Sequence, residues 1–334
     1  MKKFLLITTA SISLVLLIAG SVFAVTSGTS TDGSGQALEI SPPVITLTAD
    51  PGQTLTTQIS IRDISSQKLV VKGQVDDFVA AGEDGTPKLL IDDTDATDNP
   101  YSMKSWVAPL NSITLNPKEI KKLSVTINVP SDAAPGGYYA DVRFTASAPE
   151  LNNSGVSLSA SLGSLLLIKV NGEVKENMSV TEVGASFEAG GKNNILFESS
   201  PIYLFERIKN NGNIHEQPTG QMTITDMFGK KIAVANVNLQ LKNVLPNSVR
   251  RFEQTIDKSL IGDKFLFGKY SVKMKLTYGT TGQTLTSEFS FWVIPYRLIG
   301  LGIIVLVGGF FILRFALGRY KARILKQAHR PRRR

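Results

Sequence analysis

The densest group of side chains that could bind a ligand is an acidic run in the first third of the chain. Asp92, Asp93, Asp95 and Asp98 place four carboxylates close together, and Ca²⁺ prefers about six to eight hard oxygen ligands. An EF-hand loop starting at Asp93 needs glycine at its sixth position and a bidentate glutamate at its twelfth, where this chain has Asp98 and Lys104. An EF-hand is excluded. We prefer a solvated acidic loop, with a looser calcium site on these four aspartates as the alternative.

Side chains for catalysis are scarce. The chain has no cysteine and two histidines, which excludes a disulfide scaffold, a thiolate metal site and a cysteine nucleophile. His215 follows an asparagine-rich stretch typical of a loop, and His329 lies near the end of the chain. The sequence contains no Gly-x-Ser-x-Gly motif that could supply a serine nucleophile beside a histidine. We therefore expect no catalytic residue, no cofactor and no enzyme activity. A secreted hydrolase would need a deep pocket with two close carboxylates.

A third candidate is a ligand platform built from Asp76, Asp77, Phe78 and Trp106. Together these side chains could form an exposed platform for a ligand. A tryptophan in the middle of a β-sandwich sequence is more often part of the core, and we prefer that interpretation for Trp106.

The elements that must position these residues are short β-strands. From Leu38 onward the sequence has no long window of helical periodicity, and it alternates apolar and polar residues between turns. Such alternation predicts antiparallel sheets with one buried face. The clearest examples are the predicted strands at Thr54–Ile61, Lys68–Val75, Lys121–Val129 and Tyr138–Ala146.

The same plan occurs twice. A leucine-proline turn, a strand, a glycine turn and a tyrosine-led strand follow Leu115, and they recur after Leu245. Pairing Tyr139 with Tyr270 places the repeats 131 residues apart. The sequence therefore predicts an all-β chain of two tandem immunoglobulin-like antiparallel sandwiches, at residues 37–175 and 176–294, plus one C-terminal transmembrane helix.

Both ends carry targeting patterns. Residues 1–24 have two lysines, an apolar stretch and a small-residue end, as in a signal peptide, and a flexible polar linker follows at residues 25–36. The second pattern is the uncharged stretch Leu298–Leu313. As a helix this stretch is roughly 24 Å long, which is shorter than a hydrocarbon core of about 30 Å. The flanking arginines can extend it by snorkelling, with Trp292 and Tyr296 in the interfacial belt. We expect a transmembrane helix at residues 295–317.

Charge indicates the topology. The chain has a formal net charge of +8, but two lysines lie in the signal segment and ten basic residues from Arg297 onward. The region between these segments contains the remaining 24 basic residues and all 28 acidic residues, so the exported region has a net charge of −4. The positive-inside rule predicts a cytoplasmic tail at residues 318–334 and an extracellular N-terminal region in the cell membrane. A nucleic-acid partner loses its main support.

Several motifs resemble those of the WxL-interacting proteins of Gram-positive-type cell surfaces. They are Ile40-Ser41-Pro42-Pro43, Asp50-Pro51-Gly52, Val75-Asp76-Asp77-Phe78, Trp106 with Leu115-Asn116-Pro117, Val129-Pro130 with Pro135-Gly136-Gly137-Tyr138, Lys209 to His215 with Pro218-Thr219-Gly220, Leu245 to Arg250, and Phe291 to Pro295. The resemblance covers nearly the whole chain. It implies a peptidoglycan-binding sandwich, a second binding sandwich and a membrane anchor.

The leading hypothesis is a non-enzymatic adhesion or binding protein anchored in the membrane. Its tandem domains would bind a cell-wall polymer such as peptidoglycan, or another cell-surface protein, and its helix would contact membrane lipid. The alternative is a chaperone-like envelope assembly factor that binds exported clients by strand addition. An unpaired hydrophobic edge strand would favour the alternative.

Overall fold

A computed structural model of the protein describes residues 38–91, 99–147 and 160–328. It contains two β-sandwiches in tandem, followed by one long helix. The four calcium-candidate aspartates lie outside the described residues. So do the predicted signal peptide, the linker and the last six residues with His329.

Domain 1 contains the first nine strands. They are β1 (Leu38–Ser41), β2 (Val44–Ala49), β3 (Thr54–Asp63), β4 (Leu69–Ala81), β5 (Thr86–Leu90), β6 (Ile113–Leu115), β7 (Ile120–Asn128), β8 (Gly136–Ser147) and β9 (Ala160–Val170). One sheet has the order β1-β3-β7, and the other has the order β2-β9-β8-β4-β5, with β6 also paired to β4. A single 3₁₀ turn, Lys104–Trp106, lies between β5 and β6.

The core of domain 1 follows from alternation. Along β7, Val125 and Ile127 are fully buried while the intervening side chains are partly or fully exposed. They face Leu166 and Ile168 of β9 and Phe144 of β8 within one apolar cluster. The strands predicted from sequence at β3, β4, β7 and β8 are all present.

One pairing in domain 1 differs from the antiparallel expectation. β1 pairs antiparallel with β3, whereas β2 pairs parallel with β9, with Val44 opposite Leu165. Pro42 and Pro43 separate the two strands. Because proline has no N–H to donate, the first ladder ends there and the chain joins the other sheet. A second parallel pair, two residues long, joins β11 to β17 in domain 2.

Domain 2 contains the remaining strands. They are β10 (Met178–Ser186), β11 (Leu196–Phe197), β12 (Ile202–Asn210), β13 (Thr219–Asp226), β14 (Lys231–Val237), β15 (Val249–Ile256), β16 (Gly268–Tyr278) and β17 (Gln283–Val293), with a short helix α1 (Lys258–Ile261). The two sheets have the orders β10-β12-β15 and β11-β17-β16-β13-β14. They enclose a second apolar cluster that includes Leu204, Val272 and Phe291.

The internal repeat is present, with a register one residue different from the sequence alignment. β8 begins at Gly136 and β16 begins at Gly268. The tyrosine two residues later packs on its own domain's core in both cases, Tyr138 in domain 1 and Tyr270 in domain 2. Tyr139, which the sequence alignment paired with Tyr270, belongs to a separate apolar cluster. A shift of one residue moves a strand side chain to the opposite face, and Tyr139 faces domain 2.

The two domains are joined by polar contacts. The turn between β4 and β5 reaches β12 and β15: the Glu83 carboxylate accepts from the Arg207 Nε at 2.6 Å, and the Glu83 carbonyl accepts from the Arg251 N–H at 2.7 Å. On another side, the Gly137 N–H donates to the Asn213 carbonyl at 2.7 Å. An apolar cluster of Phe78, Tyr139 and Leu167 lies where the domains meet, with Leu245 of domain 2 packed against it. These contacts set the angle between the sandwiches.

Helix α2 (Tyr296–Ala328) follows β17 after two residues. Within its segment Tyr296–Lys321, an 18-residue window has a mean hydropathy of 2.4 and is entirely unburied. By length and composition the segment could cross a membrane. The long apolar C-terminal helix expected from sequence is therefore present, and it extends beyond residue 317.

Candidate functional site

The outer side of β2 is one of the free sheet edges of domain 1. This strand ends its sheet, with β9 on one side. The Pro43 carbonyl accepts from Leu165 N–H at 3.0 Å, and the Ala49 carbonyl accepts from Asn171 N–H at 2.8 Å. In a parallel pair of strands, every second residue directs its backbone N–H and C=O groups toward the neighbouring strand. The backbone groups of Val44, Thr46 and Thr48 therefore point away from β9.

A groove between the two domains runs beside this edge. Its first half has a volume of about 440 Å³, within the range of ligand sites, roughly 300–1,000 Å³. Apolar side chains of both domains dominate the middle of its lining, with polar and basic side chains at one side. The lining residues that matter here are Val44, Phe78, Leu165, Leu167, Leu241 and Leu245, with Lys242 and Arg250.

The second half of the groove is polar and measures about 380 Å³. It shares Thr46 and Gln217 with the first half, so the two hollows adjoin beside β2. Thr48, Lys169 and His215 line this half. A segment lying along β2 would pass from an apolar to a polar environment.

His215 lies in the loop between β12 and β13, as its asparagine-rich context predicted. Its ring meets the Tyr139 ring edge-on at 5.7 Å between centroids, and its Nδ1 lies 3.4 Å from the Tyr139 hydroxyl. Burial, with a contribution from Lys169, lowers the pKa of His215 to about 4. The imidazole is neutral at physiological pH, and it serves as a domain contact. No sequence pattern predicts this contact between His215 and Tyr139.

Two carboxylates also line the polar half of the groove. Glu176 accepts hydrogen bonds from the Thr280 N–H at 3.0 Å and from the Thr280 hydroxyl at 2.8 Å, and Glu216 accepts from the Gly279 N–H at 3.0 Å. Burial, and then the nearby Glu176 charge, raises the pKa of Glu216 to about 7. Both side chains hold the turn between β16 and β17. These hydrogen bonds account for their positions structurally.

The proposed platform of Asp76, Asp77, Phe78 and Trp106 is not exposed. All four side chains are buried, and Trp106 packs on Tyr138 at 4.3 Å between ring centroids. The preferred interpretation of Trp106 as core is therefore correct. The alternative of an exposed platform is wrong, because the rings fill the sandwich interior and the domain interface.

A buried pair of aspartates lies behind the groove. Asp76 on β4 is directly opposite Asp141 on β8, and Arg143 donates to Asp76 at 2.6 Å. Both Asp141 oxygens are buried with no hydrogen-bond partner among the described residues. Burial, and then the Asp76 charge, raises the pKa of Asp141 to about 6. Within the described part of the chain, no three histidine, cysteine or acidic residues group as metal ligands.

The feature that the sequence interpretation missed is the uncharged edge. β2 reads Val-Ile-Thr-Leu-Thr-Ala, without a charge or a proline. That signal is visible in the sequence. Its meaning depends on knowing that β2 is an edge strand, which only the sheet order reveals.

No family model matches the chain, and no curated protein matches it. Solved structures with some similarity include the class 5 fimbriae chaperone CfaA, at 16% identity and a TM-score of 0.38, over 75% of this chain and 98% of that one. The SafB chaperone in complex with the SafA pilin of Salmonella enterica has 12% identity and a TM-score of 0.34, over 77% and 97%. The E. coli chaperone DraB has 12% identity and a TM-score of 0.33, over 77% and 98%. At these values the likeness concerns only the β-sandwich fold.

Proposed function

We propose that the protein is a membrane-anchored, non-enzymatic binding protein that pairs an extended segment of an exported or cell-surface protein with the free edge of β2. The observation that carries the proposal is that this edge runs along a groove between the two sandwiches. Backbone pairing would supply affinity, and side-chain contacts in the groove would supply selectivity.

The composition of the other edges supports this choice. Exposed edges invite unwanted pairing, and proteins guard them with charges or proline. Among the described edge strands of domain 1 longer than three residues, β1 carries Glu39, β5 carries Pro87 and Lys88, and β7 carries Lys121 and Lys122. β2 has no such guard. An unguarded edge inside a groove is consistent with a strand-binding site.

The groove also limits the partner chemistry. Alternate side chains of an added strand would face domain 2. Those near Val44 would meet Leu167 and Leu241, and those near Thr48 would meet Lys169 and neutral His215. The preferred segment is therefore apolar at one end and polar at the other.

The cell-wall polymer named by the sequence hypothesis stays a second proposal. A glycan strand has no peptide N–H and C=O groups at strand spacing, so it cannot continue the β2 ladder. Membership in the WxL-interacting family also stays a proposal, and it would place the partner on a Gram-positive-type cell surface. In both versions the basic tail after α2 would lie in the cytoplasm and the sandwiches outside.

Site-specific photo-crosslinking in the producing cells tests the proposal. The full chain would carry benzoylphenylalanine in place of Thr46, on the β2 edge. A matched variant would carry it in place of Thr56, which is also exposed but lies on the central strand β3 of the other sheet. We expect a discrete protein adduct from position 46, with the crosslinked peptide in an extended segment of the partner.

Equal adducts from both positions, or none from position 46, would contradict strand binding at β2. Retention of the detergent-solubilised full chain on purified peptidoglycan, unaffected by Thr46→Lys, would instead support the polymer proposal.

A further inference from the structure

The end of domain 2 next to α2 carries an exposed apolar surface. Strand pairing defines this end, because Gly268 at the start of β16 lies opposite Val293 at the end of β17, and Asp226 at the end of β13 lies opposite Tyr270. The turn between β13 and β14 and the loop between α1 and β16 therefore lie where the helix begins. We call their exposed apolar side chains the basal surface, which consists of Met227, Phe228, Phe265 and Phe267.

The aromatic rings of the basal surface are unusually exposed. Phe228 is 86% exposed and Phe265 is 72% exposed. The first is held outward by an ordered turn, in which the Asp226 carboxylate accepts from the N–H groups of Phe228 and Lys230 at 3.0 and 2.9 Å. In the other loop, the Tyr270 hydroxyl accepts from the Phe267 N–H at 3.0 Å. Both loops are therefore fixed by hydrogen bonds while they present apolar tips.

The connection to the helix is too short to lift this surface away from a membrane. Only Ile294 and Pro295 separate β17 from α2, and two residues span at most about 7 Å. Arg297 of α2 also pairs with Glu198 of domain 2 at 3.2 Å. The uncharged helical stretch, roughly 24 Å long, is shorter than a hydrocarbon core of about 30 Å. A short span draws its flanking residues toward the bilayer.

Charge at the basal surface complements a lipid headgroup layer. Lys230 follows Phe228 by two residues, and Lys264 directly precedes Phe265. Both lysines are exposed. Aromatic side chains beside lysines are typical of segments that lie in the membrane interface.

From these observations we infer that the basal surface docks on the same bilayer that α2 crosses, with Phe228 and Phe265 in the headgroup region. The helix and the two loops then fix domain 2 at several points. Domain 1 lies at the opposite end of domain 2, and so the β2 groove is held away from the membrane in a defined orientation. This inference rests on the membrane anchor in the proposed function, whereas it does not depend on strand binding at β2, which the crosslinking experiment tests separately.

The absence of cysteine in the chain permits a direct test. Single cysteines would replace Phe228, Phe265 or Leu239 in the full chain, and each would carry a bimane fluorophore. Leu239 is the matched control, because it is 76% exposed but lies in the loop after β14, at the other end of domain 2. The labelled proteins would be reconstituted into phosphatidylcholine vesicles with or without phosphatidylglycerol. Quenching by nitroxide lipids labelled near the headgroup would then be measured.

We expect several-fold stronger lipid quenching at positions 228 and 265 than at position 239, and stronger quenching when phosphatidylglycerol is present. Lys230→Gln with Lys264→Gln is expected to remove the dependence on phosphatidylglycerol. Quenching at 228 and 265 no greater than at 239 would overturn the inference. Quenching at both positions that is the same in both vesicle types would refute the role of the lysines.

Discussion

Replacing Glu206 by glutamine is expected to remove one large contribution to the pH dependence of domain 2 stability between pH 5 and pH 8. Glu206 on β12 is fully buried, and its Oε2 has no hydrogen-bond partner among the described residues. Its Oε1 accepts from the Gln254 amide at 3.2 Å, while the Gln254 Oε1 is also without a partner. A proton on Glu206 supplies the donor that this pair lacks. Burial raises the pKa of Glu206 to about 8.

The sign follows from proton binding. A carboxyl with a raised pKa binds a proton in the folded state at pH values where the unfolded chain has already lost it. Stability is then highest below the unfolded pKa, near 4.3, and falls as the pH rises toward about 8. Between these two pKa values the free energy of unfolding falls by about 1.4 kcal/mol per pH unit. We expect a loss of about 3 kcal/mol in the free energy of unfolding between pH 5 and pH 8.

Urea unfolding of the full chain in detergent micelles measures this effect. The protein has two tryptophans, one per domain, so a Trp106→Phe background leaves Trp292 to report on domain 2. Glu206→Gln should flatten the pH dependence and stabilise domain 2 most at pH 8. Glu288→Gln is the matched control, because that carboxylate is exposed in a surface ion pair with Lys273. Equal slopes for the parent and Glu206→Gln would refute the reasoning.

Three further changes test other parts of the structure. Gly163→Ala would place a methyl group against the buried Asp141 carboxylate, and we expect domain 1 to lose about 1–3 kcal/mol, measured by Trp106 fluorescence in urea; an unchanged midpoint would contradict the close contact. Asn213→Ala removes the side-chain hydrogen bond to the Pro135 carbonyl, which is 2.9 Å long. The loss should weaken the contact between the domains by about 1–3 kcal/mol. It should broaden the interdomain distances measured by spin labels, and an unchanged distribution would argue against this contact. Thr46→Lys adds a guard charge to β2 and should lower photo-crosslinking from position 48 by about tenfold, whereas undiminished crosslinking would exclude this edge.

The strands were predictable because their chemistry is local. Alternation such as Leu123 to Val129 requires only that one face is buried, and β7 occupies residues 120–128. The long apolar helix α2 was predictable for the same reason, from an uncharged run. The parallel pairing of β2 was not predictable, since Val44 to Ala49 reads like any other strand. Which of the two sheets β2 joins depends on the path of the chain after Pro42 and Pro43.

The candidate site could be predicted only in part. Thr46, Leu167 and Leu241 are far apart in sequence, and the angle between the domains brings them to one groove. His215 was correctly placed in a loop, but its contact with Tyr139 depends on that same angle. Sequence patterns describe which side chains a strand buries. They do not describe which edge a second domain leaves open.

An unguarded edge raises the question of why the protein would not pair with itself. Domain 2 provides a physical answer, because Gln217 and Leu241 face β2 across the groove. A second folded sandwich is at least two sheets thick, with about 10 Å between the sheets, whereas a single extended segment needs a strand spacing of about 5 Å. If β2 binds an added strand as proposed, this wall would replace the charges that guard the other edges and would favour extended chain. On this reasoning Asn213→Ala, by loosening the domain contact, should also increase self-association, and the two effects should appear together.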